Sequence, residues 1–173
     1  EYISHTNTSR GLINRLYQAV RKRTLKSKRK LVQKQTGMGK GKLLDIGSGT
    51  GAFVHEMENA GWMVTGLEPD PGARQVAKQS FGVTLQDTSG FFALPESQFD
   101  AITLWHVLEH VHTLHEYMDQ LKKLLKPGGR ILIAVPNYTS GDAAAYQSYW
   151  AAYDVPRHLY HFSPASMEKL AAL

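Results

Sequence analysis

Three groups of residues in this sequence have the types and spacing to do chemistry. The first is Asp45-Ile46-Gly47-Ser48-Gly49-Thr50-Gly51, a carboxylate followed by glycines at alternate positions. Glycine lets the backbone turn sharply and lets a ligand lie against it with no Cβ in the way. The second group is a pair of acids, Glu68 and Asp87, each just after a short apolar run. The third is rich in histidine: His106-Val107-Leu108-Glu109-His110 and, further on, Pro156-Arg157-His158-Leu159-Tyr160-His161. Glycine turns also serve dinucleotide folds, but here the spacing is G-x-G-x-G, not G-x-G-x-x-G. Asp45 would repel a pyrophosphate and suit a ligand carrying an ammonium or sulfonium charge.

S-adenosyl-L-methionine (SAM) has both of those charges and no phosphate. The stretch Lys42 to Gly51 closely resembles the first motif of the class I SAM-dependent methyltransferases. Phe99 to Pro136, with Phe99-Asp100, Leu108-Glu109-His110 and Pro127-Gly128-Gly129 in order, resembles the same family, nearest its small-molecule branch typified by quinone-biosynthesis enzymes. The resemblance implies that Gly47, Ser48, Gly49 and Gly51 hold the methionine part of SAM, with Asp45 near its charged end. It places Asp87 and Thr88 at the adenine and Trp105 beside the methyl group. Glu68, with Pro69 after it, falls some twenty residues past the turn, where an acid at the end of a second strand accepts hydrogen bonds from ribose hydroxyls. The implied cofactor is SAM, leaving as S-adenosyl-L-homocysteine, and the implied partner is a small-molecule methyl acceptor.

For the acceptor, His106, Tyr138, Trp150, His158 and Tyr160 are the expected wall, with Tyr2, His5 and Asn7 closing over it. His106 and His158 are the candidate bases, because imidazole titrates near neutral pH. His106 to His110 also matches the H-x-x-E-H pattern of one metalloprotease class. Its place directly after a strand, beside a glycine turn, argues against that reading. Some quinone O-methyltransferases carry E-x-x-E-H here and hold a divalent metal. This sequence keeps Glu109 and His110 but has His106 first, and the expected site holds no metal. There is no G-x-S-x-G elbow and no G-K-[ST] phosphate loop, so serine hydrolase and P-loop chemistry are excluded.

The elements that must position these groups follow from periodicity. Leu12, Ile13, Leu16, Tyr17 and Val20 recur at helical spacing, continued by Thr24 and Leu31, so a helix is expected from about Gly11 to Gln35. Its cluster of cations from Arg21 to Lys30 reads as a solvated face rather than a nucleic-acid patch, because no aromatic residues interleave with it. Strands are expected at Lys42–Ile46, Trp62–Leu67, Val83–Leu85, Phe99–Leu104 and Arg130–Val135, with helices between them. Gly61 and Gly82 stop helices; Pro71 and Pro164 start them. The implied fold is α/β, a Rossmann-like doubly wound parallel sheet in the order 3-2-1-4-5. Residues 1–41 form an N-terminal helical extension and residues 42–173 the SAM-binding domain, in which the family's final β-hairpin strands are absent. Tyr138 to Phe162 is irregular and aromatic, as a lid or substrate wall is.

Composition limits the alternatives. At 173 residues, 42% hydrophobic and 20% charged, the chain is an ordinary globular domain. It has no cysteine, which removes disulfides, thiolate metal sites and a cysteine nucleophile. No apolar run spans a bilayer, and a cytoplasmic location is expected. Two other functions remain open at this level: a SAM-binding module without catalysis, and an RNA-directed methyltransferase or binder using the basic helix. The N-P-P-[YF] motif of base amino-methyltransferases does not follow the fourth strand, where Trp105-His106-Val107-Leu108 stands.

Overall fold

A computed structural model describes residues 12–172, with side chains from residue 15 onward. Tyr2, His5 and Asn7 lie outside the described residues. The chain runs α1 (Leu12–Thr36), β1 (Lys42–Ile46), α2 (Ala52–Asn59), β2 (Met63–Leu67), α3 (Pro71–Phe81), β3 (Phe99–Trp105), α4 (Leu114–Leu124), β4 (Leu125–Ala134), α5 (Gly141–Tyr146) and α6 (Pro164–Ala172), with short 3-10 turns between several of them. The four strands are all parallel and lie in the order β2-β1-β3-β4. Parallel strands need helical crossovers, which cover the sheet on both faces.

The expected third strand, Val83–Leu85, is a correction. It sits beside β2, where the order 3-2-1-4-5 puts it, but forms only one parallel bridge, between Leu67 and Gln86. The run is short, and Asp87 ends it by capping the next turn, accepting a hydrogen bond from the Ser89 N–H at 2.8 Å. β4 differs too: it begins at Leu125, and the pairing jumps from Phe99–Leu125 to Ala101–Arg130. Pro127-Gly128-Gly129 is therefore an excursion within the strand, with Gly128 at φ +80°.

Alternation along the strands divides the core. Leu44, Ile46, Ile102 and Leu104 face α4 and α6, packing with Leu121, Leu124 and Leu170. Leu43 and Ala101 face the other way, packing with Val32 of α1 and Phe53 and Met57 of α2. A period of two thus sends Asp45 to the α1/α2 side. Local signals explain the helix ends. Asp70 accepts from the Gly72 N–H at 2.8 Å, Pro71 follows as the first helical residue, and Gly82 closes α3 at φ +71°. Ser163 receives the Ser166 N–H at 3.2 Å ahead of α6.

α1 is the second correction. Its buried side is Leu25 and Val32, with Arg29 paired to Glu56 at 3.3 Å. Leu16, Tyr17, Val20 and Leu31 of the expected apolar stripe are exposed. The helix leans on α2 through the face at positions 21, 25, 28 and 32, so the stripe richest in apolar residues is not the one that packs. Among the described residues no helix is long and apolar enough to cross a membrane.

Candidate active site

The glycine turn closes β1 against β2. The Gly47 and Ser48 N–H groups both donate to the Leu67 carbonyl, at 2.8 and 3.0 Å. Gly47 takes φ +70°, and a Cβ there would stand 2.4 Å from Val107 Cγ2. Only glycine fits on both counts. Gly49, at φ +53°, has nothing within 4 Å of where its Cβ would be, so its face is open to a ligand. Gly51 packs on the protein instead: its Cβ would lie 2.8 Å from Ala77 Cβ.

A cavity of about 400 Å³ opens over this turn. Asp45, Gly47, Ser48, Gly49 and Trp105 form its floor and far wall, and α1 crosses over it with Val20, Arg21, Leu25 and Lys28. It lies at the carboxyl ends of β1 and β3, where open α/β sheets bind ligands. Asp45 is buried, and its Oδ1 accepts from Thr103 Oγ1 at 2.7 Å. Burial raises its carboxyl to about 6; the Thr103 hydrogen bond and the Lys28 charge pull the other way. Lys28 Nζ sits 4.5 Å from the centre of the Trp105 ring, and burial lowers its pKa while Asp45 raises it. Trp105 packs edge-on against Phe53, and its buried Nε1–H has no hydrogen-bond partner among the described residues. Arg21 Nη2 donates to Thr50 Oγ1 at 3.2 Å.

Glu68 is at the end of β2 and mostly buried. Its carboxylate accepts from the Gly49 N–H at 2.8 Å and the Asp70 N–H at 3.0 Å. A carboxylate has room for further donors, so the acid can both hold the turn and take hydroxyls. Arg74 ties the neighbouring segment together. Its guanidinium donates to the Glu68 and Pro69 carbonyls and, at 3.0 Å, to Asp87 Oδ2. The backbone and side chain of Ser89, then Arg74, hold the Asp87 carboxyl below its ordinary pKa despite some desolvation. Thr88 opens the turn that Asp87 caps. Glu68, Pro69, Asp87 and Thr88 thus form one cluster at the β2 end, outside the cavity's lining.

The histidine-rich residues gather elsewhere than a helix. Leu108–His110 is a single 3-10 turn, so His106 and His110 do not share a helical face as H-x-x-E-H metal chemistry requires. His106 stands in the left-handed region at φ +62° with its side chain 64% exposed. Its Nδ1 is 3.5 Å from Glu109 Oε1. Glu109 is fully buried, and neither carboxylate oxygen has a hydrogen-bond partner among the described residues. His158 is brought to the same place, its ring 4.7 Å from that of His110. The Leu159 N–H donates to the Glu109 carbonyl at 2.8 Å, fastening this segment down. Glu109, His110 and His158 each offer one donor atom within 4.8 Å of the others. One carboxylate and two imidazoles fit a transition-metal ion such as zinc, and these three residues would hold it.

The other expected wall residues are dispersed. Tyr160 donates to the His112 carbonyl at 3.2 Å and lines a separate hollow with Leu114 and Leu170. Trp150 packs edge-on against Tyr153. Tyr138 is exposed, its N–H donating to the Phe162 carbonyl at 3.0 Å. Sequence reasoning missed Arg21 and Lys28 as cavity residues. The signal was the spacing 21, 25, 28, 32, which puts both cations on one helix face with Leu25 and Val32.

Comparison with known proteins agrees with this fold. A family model described as a methyltransferase domain matches residues 11–172. The demethylmenaquinone methyltransferase of Tropheryma whipplei (strain Twist) is 29% identical over 180 aligned residues, covering 96% of this chain and 75% of that protein. The ubiquinone biosynthesis O-methyltransferase of Actinobacillus pleuropneumoniae serotype 7 is 36% identical over 119 residues, covering 62% of this chain and 50% of that protein. Among solved structures, a Burkholderia thailandensis 1,6-didemethyltoxoflavin-N1-methyltransferase, with S-adenosylhomocysteine bound, shares the fold at TM-score 0.63 and 20% identity, covering 86% of this chain and 65% of that one. The open glycine face, the cavity bearing both charges and the acid at the end of β2 fit SAM, the cofactor of this family. The chain belongs to the methyltransferase-domain family, with the class I SAM-dependent fold.

Proposed function

We propose that this protein transfers a methyl group from SAM to a small-molecule acceptor. The observation that carries the reading is the cavity bounded by Asp45, the open face of Gly49 and Trp105 at the carboxyl ends of β1 and β3. When bound, SAM supplies an electrophilic methyl group on a sulfonium. The turn and Asp45 bind its amino-acid end, Glu68 takes the ribose hydroxyls and Asp87 the adenine. Trp105 and Phe53 give the cavity an aromatic wall that excludes water. Much of such catalysis is positioning.

On the acceptor side, His106 adjoins Trp105 in the chain and is reachable from solvent. With its Nδ1 toward Glu109, its Nε2 is the atom turned to an incoming acceptor and takes the proton. His158 is a second base in the same cluster. Its Nδ1 is 2.8 Å from the Ala152 carbonyl, which only accepts, so Nδ1 carries the hydrogen and Nε2 is the basic nitrogen. Quinone-type phenols and amines are acceptors of the right chemistry for such bases. The absence of cysteine suits a cytoplasmic site of action.

Three measurements test the reading. Calorimetry should show binding of SAM and S-adenosyl-L-homocysteine, weakened in Glu68→Ala by about 1.5–3 kcal/mol through lost hydrogen bonds to a charged acceptor. Metabolite extracts incubated with methyl-labelled SAM should yield a labelled small molecule. With that acceptor in hand, His106→Ala and His158→Ala should lower turnover while SAM affinity holds. Tight NAD binding without SAM binding would refute the assignment.

A further inference from the structure

We propose that the outward side of α1 is a docking surface for an anionic lipid bilayer, with its cations on the phosphate headgroups and Leu16, Val20 and Leu31 entering the headgroup layer. α1 holds nine of the chain's 20 Lys and Arg residues and none of its 15 Asp and Glu residues. The rest of the chain is left with more acids than bases. An anionic plane therefore attracts the molecule by this helix and repels it elsewhere, which fixes the orientation of approach. The helix has two working sides. Positions 21, 25, 28 and 32 turn to α2, the sheet and the cavity. Positions 16, 20, 23, 27, 31 and 34 recur at spacings of three and four on the other side, and every one of them is exposed.

That outward side mixes two kinds of group. Leu16, Val20 and Leu31 are 67%, 56% and 40% exposed. Lys22, Arg23, Lys26 and Lys30 line a groove beside them with Ala19 and Ser27. None of these four cations joins an ion pair among the described residues. An RNA strand would use the cations alone. No aromatic residue lies between Arg21 and Lys30 for its bases to stack on, and the exposed leucines and valine gain nothing from it. A bilayer uses both kinds: headgroup phosphates meet the cations, and acyl chains take the apolar side chains. α1 is too polar to span a bilayer, so its docked place is in the plane of the interface. Val20 belongs both to the outward side and to the lining of the cavity, so the docked helix sets that edge of the cavity at the bilayer surface. Docking is independent of what the cavity binds.

The test is cosedimentation with lipid vesicles at physiological salt. Wild-type protein should pellet with vesicles of equimolar phosphatidylglycerol and phosphatidylcholine and stay in solution with phosphatidylcholine alone. Arg23→Gln, Lys26→Gln and Lys30→Gln combined should weaken the affinity on the order of 100-fold, from about 1 kcal/mol for each cation near the surface. Leu16→Ser should weaken it several-fold through lost apolar burial. All four side chains are exposed, so both variants should melt with the wild type, which reports that they are folded. The chain has no cysteine, so Leu16→Cys takes a polarity-sensitive fluorophore at one place only. Its emission should shift to the blue on anionic vesicles, whereas the same label at Lys123→Cys, on α4 across the sheet, should not shift. Failure to pellet with either vesicle, equal pelleting with both, or wild-type affinity in the triple variant overturns the proposal. So does an unshifted label at Leu16→Cys on pelleted protein. Single-stranded RNA bound more tightly than anionic vesicles at the same salt overturns it in favour of a polyanion.

Discussion

Asp45 carries two opposed demands. As a ligand group it must be ionised to meet an ammonium; as a buried residue it is destabilised by that charge. Burial raises its carboxyl from an ordinary 3.8 to about 6. Between those values the folded chain binds the proton that the unfolded chain has released. Stability is therefore fully present below the lower value and falls as pH rises through the upper one, by up to about 3 kcal/mol at neutral pH. Asp45→Asn keeps an acceptor for Thr103 and removes the charge. Thermal melts of the unliganded protein from pH 4 to 8 should show the variant gaining stability over the wild type as pH rises, while its affinity for SAM drops. Parallel melting curves for the two proteins would show that Asp45 does not titrate in this window. His106 sits in left-handed backbone, as do Ser97, Gln147 and Asp154 among the described residues. Left-handed backbone at a non-glycine position costs free energy and clusters at functional sites.

At the scale of elements, α1 is the least expected participant. Its sequence carries no acidic residue in the first turn, and most of its described residues are exposed, as in a helix lying on a surface. Yet Val32 is fully buried against Leu43 and Met57, and the same face delivers Lys28 and Arg21 to the cavity. Val32→Ala should cost about 1.5–3 kcal/mol in denaturant unfolding, the worth of a fully buried valine side chain. Lys26→Ala on the exposed side should stay within about 0.5 kcal/mol. If the two variants unfold alike, α1 is not packed as described. The β3 end is the complementary case. A 3-10 turn in place of a helix lets Val107 fill the space above Gly47 and turns the buried carboxylate of Glu109 toward His106, His110 and His158.

For the whole molecule, the net charge of +5 is uneven: α1 holds a dense share of it, with Lys22, Arg23, Lys26 and Lys30 exposed. Such a patch attracts polyanions without reading them, and the attraction fades with salt as counterions compete. A short single-stranded RNA should bind weakly at about 50 mM salt and be released by about 200 mM. Sub-micromolar binding that survives physiological salt, and that charge reversal at those four positions abolishes, would make RNA the target instead. The chain spans three quarters of the length of the Tropheryma relative and half that of the Actinobacillus one.

The sequence by itself determined the frame and the glycine turn. Strand, alternate glycines and helix at Lys42–Met57, Glu68 after β2, Pro71 and Gly82 bounding α3, and Ser163-Pro164 opening α6 are local signals. Each is written in a few adjacent residues whose backbone preferences act over a single turn. The family resemblance rests on the same short-range patterns. What only the tertiary structure decided is which distant side chains meet. Lys28 over Trp105, Arg21 on Thr50, and His158 beside Glu109 and His110 join positions far apart in the chain, set by how α1 and the segment after β4 pack on the sheet. The inward face of α1 was chosen the same way. Helical periodicity pointed to the stripe of Leu16, Tyr17 and Val20, and contact with α2 instead selects the less apolar face of Leu25 and Val32. The third strand shows the limit from the other side. Val83–Leu85 has a strand's composition, but ladder length depends on what lies alongside, and Asp87 turned the chain away after a single bridge.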